Sequence, residues 1–75
     1  MELRGLRFNR DSEYWSVCEG RQSLYDLCNG DSLYIQVGEA YYSTRIDWNE
    51  DWFVTIGKKK FWLHRKTRYR VLVQH

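Results

Sequence analysis

The sequence predicts a small all-β domain over residues 1–75, a partly open antiparallel barrel of five to seven short strands. Two observations lead there. Apolar and polar side chains alternate at period two, and turns rich in Gly, Asn and Asp interrupt that alternation, which favours short strands over helices. A third sets the energetics: a chain this short buries only about 60% of its unfolded surface, and aromatic residues make up 17% of it. Each such ring buries roughly 150–250 Å², so four Trp, three Phe and six Tyr supply the core that length alone would not.

The first element is an N-terminal hairpin, with Leu6 and Phe8 aligned to Val17 and Trp15 across a turn drawn from Asn9-Arg10-Asp11-Ser12. Residues 19–31 are less regular. There Ser23-Leu24-Tyr25-Asp26-Leu27 fits either one helical turn or an extended crossover, and Asn29-Gly30-Asp31 is a strong turn signal. The middle is clearest: Leu33, Ile35 and Val37 alternate with Tyr34 and Gln36, and Gly38-Glu39 makes a two-residue hairpin turn.

Counting across that turn pairs Val37 with Ala40, Ile35 with Tyr42 and Leu33 with Thr44. A second reversal at Asn49-Glu50-Asp51 pairs Trp48 with Trp52, Ile46 with Val54 and Thr44 with Ile56. Both hairpins then send the same set inward: Leu33, Ile35, Val37, Ala40, Tyr42, Thr44, Ile46, Trp48, Trp52, Val54 and Ile56. A one-residue slip in either turn would destroy that agreement. The outer face collects Tyr34, Gln36, Tyr41, Ser43, Arg45, Asp47, Phe53 and Thr55. After Gly57, the segments Phe61-Trp62-Leu63 and 68–73 read as a last hairpin of open register. Strands of this number, length and spacing suggest an SH3-like barrel or a relative of it.

Composition narrows the setting. Cys18 and Cys28 lie outside any CxxC spacing, and two thiols cannot form the multi-bridge framework of a small secreted domain, which points to reduced thiols in a cytoplasmic protein. No apolar stretch reaches the length of a membrane span, and the N-terminal residues lack a hydrophobic signal region. Net charge is +2, yet residues 1–51 carry ten acids against five bases while residues 52–75 carry seven bases and no acid. Such asymmetry suits a phosphate backbone, an acidic partner, or an internal match to the acidic half.

With the strands placed, Cys28-Asn29-Gly30-Asp31, Thr44-Arg45-Ile46-Asp47-Trp48 and Asp51-Trp52-Phe53-Val54 resemble the pattern of a family of short proteins. Its members come from Gram-positive bacteria, their phages and conjugative elements, and the family has no assigned activity. Gly5, Tyr41 and Tyr69-Arg70-Val71 extend the resemblance over nearly the whole chain. Asn29 is an insertion into the family's turn, Asp47 stands in place of Glu, and Lys58-Lys59-Lys60 departs from the pattern. The resemblance implies an SH3-like fold and a mobile-element setting, and it implies no reaction.

Two candidate surfaces follow. Tyr34, Tyr41, Arg45 and Phe53 would form an aromatic outer face with a guanidinium, the composition enriched in protein interfaces. Its plain alternative is a face covered by the terminal strands as the barrel curls. Lys58, Lys59, Lys60, Trp62, Arg65, Lys66, Arg68 and Arg70 would make a basic hairpin in which cations meet phosphates and rings stack on bases. Its plain alternative is solvated turns with Phe61 or Trp62 in the core, and with part of the charge answered by Asn49-Glu50-Asp51 at the same end.

Asp47, Glu50 and Asp51 are too local for acid-base or metal work and read as a turn, with Arg45 paired to Asp47. Cys18, Cys28, His64 and His75 lack the close-spaced pairs of a zinc site, and no nucleophile with its base is in view. The expectation is a non-enzymatic binding module without cofactor or metal, an accessory protein of a phage or mobile element. Its first partner class is protein, a host or defence complex; nucleic acid is the alternative.

Overall fold

In the computed structural model, which describes residues 1–74, the alternating segments form eight strands. They are β1 (Glu2–Asn9), β2 (Tyr14–Glu19), β3 (Gln22–Asp26), β4 (Ser32–Val37), β5 (Ala40–Asn49), β6 (Asp51–Ile56), β7 (Lys59–Trp62) and β8 (Tyr69–Val73). All lie in one sheet, ordered β3-β2-β1-β8-β4-β5-β6-β7, with every neighbouring pair antiparallel. The strand count exceeds the expected five to seven. No helix among the described residues is long and apolar enough to cross a membrane.

The turns set the registers. Gly38 takes the left-handed conformation at φ 64°, which glycine adopts without steric cost, and the tight reversal pairs Val37 with Ala40, Ile35 with Tyr42 and Leu33 with Thr44. Glu50, at φ 70°, closes the next hairpin and sets Trp48 opposite Trp52 and Ile46 opposite Val54. In β1–β2, Leu6 faces Val17 and Phe8 faces Trp15. These registers are the ones the alternation predicts.

Two segments differ. Residues 22–26 form neither a helical turn nor a crossover; they are strand β3, paired with β2 through an irregularity at Val17 and Cys18. The expected C-terminal hairpin is also absent. Gly57 and Lys58 reverse the chain so that β7 returns along β6, pairing Phe53 with Trp62 and Ile56 with Lys59. Strand β8 instead enters the sheet between β1 and β4. Each of those strands otherwise presents an unpaired edge, and β8 satisfies both at once.

The sheet curls without closing, because β3 and β7 remain unpaired edges. Its flanks nevertheless meet: the Trp52 indole N–H donates to the Glu13 carbonyl at 3.1 Å, and the Tyr14 and Trp52 rings lie 5.4 Å apart. Inside the curl, Leu6, Trp15, Val17, Leu27, Leu33, Ile35, Ile46, Trp52, Val54, Leu63, Val71 and Val73 form one buried cluster. Each fully buried aliphatic side chain stabilises the fold by roughly 1.5–3 kcal/mol. Of the predicted inner set, Val37, Ala40, Tyr42 and Trp48 are exposed. They keep the inward phase of the alternation but lie outside the buried cluster: Val37 and Ala40 flank the Gly38-Glu39 turn, Tyr42 is the third residue of β5 and Trp48 its last but one.

Candidate functional site

The outer face of the meander is assembled by cross-strand pairs. Tyr34 lies beside Ser43, Gln36 beside Tyr41, Arg45 beside Thr55, Thr55 beside Lys60, and Phe53 between Asp47 and Trp62. Alternation places all of them opposite Ile35, Ile46 and Val54, which are buried. Tyr34, Arg45, Lys60 and Trp62 are exposed, and Tyr41 is half-buried. Arg45 Nε donates to Asp47 Oδ2 at 2.9 Å, so the acid of this face is matched within it.

Phe53 departs from its expected role as an exposed contact: it is only 6% exposed. Trp62 packs edge-on against it with centroids 5.2 Å apart, and the Lys60 ammonium lies 4.9 Å over its ring. The cause is β7, whose pairing to β6 lays Trp62 directly beside Phe53. Trp62 thereby takes the exposed place that sequence reasoning gave to Phe53. It also lies outside the core, and Lys58, Lys59 and Lys60 are exposed with it.

The basic residues do not form one hairpin surface. β7, carrying Lys59, Lys60 and Trp62, is separated from β8, carrying Arg70, by β4, β5 and β6. Arg70 lies opposite Gly5, and the guanidinium of Arg68 packs where a Cβ on Gly5 would stand. Lys66 is exposed in the loop before β8. Arg65 Nη2 donates to Asp51 Oδ1 at 3.1 Å while its guanidinium lies 4.6 Å over the Phe8 ring. The Asp51 carboxyl is held below its ordinary range, first by the Trp52 backbone N–H at 2.8 Å and then by Arg65. The loop at 64–67 thus answers part of its charge at the Asn49-Glu50-Asp51 end, as the topology requires.

A concave feature also lies outside what the sequence predicts. Glu13, Tyr14, Cys28, Asn29, Trp48 and Trp52 line a cleft of about 440 Å³ between the β1–β2 turn and the β5–β6 hairpin. Trp48 and Trp52 face each other across β5 and β6. Asn29 Oδ1 accepts the Trp48 backbone N–H at 2.8 Å, and the Asn29-Gly30-Asp31 turn is strapped to β5 by Gly30 N–H to Ile46 O at 2.7 Å and Ile46 N–H to Asp31 O at 2.9 Å. The signal available was two tryptophans flanking one hairpin tip, where a strand end leaves little to cover both.

Cys18 is buried, Cys28 is exposed and both are free thiols. His64 is exposed, and His75 lies outside the described residues. Among the described residues no three His, Cys, Asp or Glu side chains are gathered as a metal ion would require. No family model, no curated protein and no solved structure matches the chain.

Proposed function

We propose that this chain is a non-enzymatic SH3-like binding module that docks a partner protein on the outer face of its sheet. One observation carries the proposal: Tyr34, Tyr41, Arg45, Lys60 and Trp62 lie on one face of four adjacent strands, and the acid among them, Asp47, is already paired with Arg45. Rings of this kind supply large contact area at low entropic cost, and Lys60, which rests on the Phe53 ring and has no carboxylate partner among the described residues, favours an acidic partner. The family resemblance supports a mobile-element accessory protein acting inside the cell, with a host or defence complex as its target.

Affinity capture from nuclease-treated host lysate tests this. The full chain retains a defined protein that Tyr34→Ala and Trp62→Ala lose; an unchanged catch from both variants refutes the choice of face.

A second reading is single-stranded nucleic acid, favoured by the adjacency of Trp62 and Lys60 on β7 with Arg45 two strands away. Binding to random single strands would then fall steeply with salt and weaken when Lys58, Lys59 and Lys60 are neutralised. No binding at low salt removes it.

A further inference from the structure

The cleft beside the β5–β6 turn combines aromatic walls with a glutamate at its rim. Trp48 is 54% exposed and Tyr14 43%, with Trp52 packed behind them. Glu13 is set at the rim by a left-handed backbone at φ 61° and by its N–H bond to the Asn9 carbonyl at 2.7 Å. Its own carbonyl is taken by Trp52, while its carboxylate has no ion pair or hydrogen bond among the described residues.

The molecule contains the filled counterpart of this arrangement. Phe8 and Asp51 form a ring and a carboxylate between which Arg65 is held, stacked at 4.6 Å and bonded at 3.1 Å. Trp48, Tyr14 and Glu13 repeat that pairing of ring and carboxylate; no Lys or Arg lines their cleft, and Arg10, Arg65 and Lys66, which border Glu13 on its other side, make no ion pair with it among the described residues. The carboxylate calls for a cation, and the apolar walls select a weakly hydrated, planar one over a compact ammonium. Tryptophan presents the best aromatic face for it.

We infer that this cleft receives an arginine side chain of a partner protein. Trp48 provides the stacking surface, Tyr14 and Trp52 the walls, and Glu13 the acceptor. The site lies on the opposite face of β5–β6 from Trp62 and Arg45, so it stands or falls separately from the docking face proposed above.

The test is a titration of the isotopically labelled full chain with acetyl-Gly-Arg-Gly-amide, and with the same peptide carrying citrulline, the neutral isostere of arginine. The arginine peptide shifts the indole N–H signals of Trp48 and Trp52, and citrulline weakens binding about tenfold. Trp48→Ala, at an exposed position, keeps a folded spectrum and loses the shifts at Trp52. Glu13→Gln weakens binding about threefold and flattens its salt dependence. Tyr34→Ala changes nothing. Equal affinity for citrulline, wild-type affinity in Glu13→Gln, shifts centred on Trp62, or no shift at millimolar peptide would each overturn the inference.

Discussion

Trp52 donates its indole N–H to the backbone carbonyl of Glu13, 39 positions earlier in the chain, at 3.1 Å. The bond joins the β1–β2 turn to β6, so it ties together flanks that the strand ladder leaves unpaired. Trp52→Phe keeps a ring but removes the donor and part of the buried volume. A loss of about 1–3 kcal/mol in urea unfolding is expected, with altered signals at Glu13 and Tyr14. A variant as stable as the parent would show that the flanks are held elsewhere.

Phe53 and Trp62 touch, yet they should respond differently to truncation. Phe53 is buried between Trp62, Lys60 and the sheet, so Phe53→Ala is expected to cost about 3–5 kcal/mol. Trp62 is 53% exposed, and Trp62→Ala should cost about 1 kcal/mol while abolishing partner capture. Thermal unfolding and capture run on the same two proteins decide this. The reverse order of stability losses would contradict the assignment of Phe53 as support and Trp62 as contact.

Asp51 gives the fold an acid-sensitive element. Its folded pKa lies below the ordinary 3.8, so its contribution is fully present above that value and is lost as pH falls through the depressed one. The pair with Arg65 is solvent-exposed, which limits the effect to under about 1 kcal/mol. Asp51→Asn should therefore lower Tm slightly in the neutral range, by the equivalent of under about 1 kcal/mol, and converge with the parent below about pH 4, so that its fall in acid is flatter. An identical acid slope in the variant would place the sensitivity at another carboxylate.

Gly5 carries no positive φ, so its lack of a side chain serves packing. A Cβ there would come within 2.6 Å of Arg68 Nη2, and the three closest atoms all belong to that guanidinium. The far end of an arginine moves at little cost. Gly5→Ala should thus change stability by under about 0.5 kcal/mol while displacing Arg68 from β1, seen as shifted Arg68 side-chain signals. A loss of several kcal/mol would mean that the guanidinium is locked in place.

The sequence specified the middle of the sheet because the turns there are tight and one face is apolar. With Gly38-Glu39 as a two-residue reversal, Ile35 has no choice but Tyr42, and the same phase carries through Ile46 to Val54. β3 was illegible for the opposite reason: all five of its residues are exposed, so no alternation marks it. The partners of β8 are set by pairings between distant parts of the chain, which no local turn encodes. Phe53 was placed on the correct face, but its cover, Trp62, depends on whether β7 returns to β6 or pairs with β8. Trp48 kept its predicted phase and lost its burial because the strand outruns the core.

The position of β8 has a consequence for how the molecule is made. Strands β1 to β3 and β4 to β7 can each zip up from neighbouring segments, yet the ladder between these two halves runs entirely through residues 69–73. Neither half can acquire its final interior while those residues remain inside the ribosome. Joining the halves closes a loop nearly as long as the chain, a step whose entropy favours slow folding despite the small size.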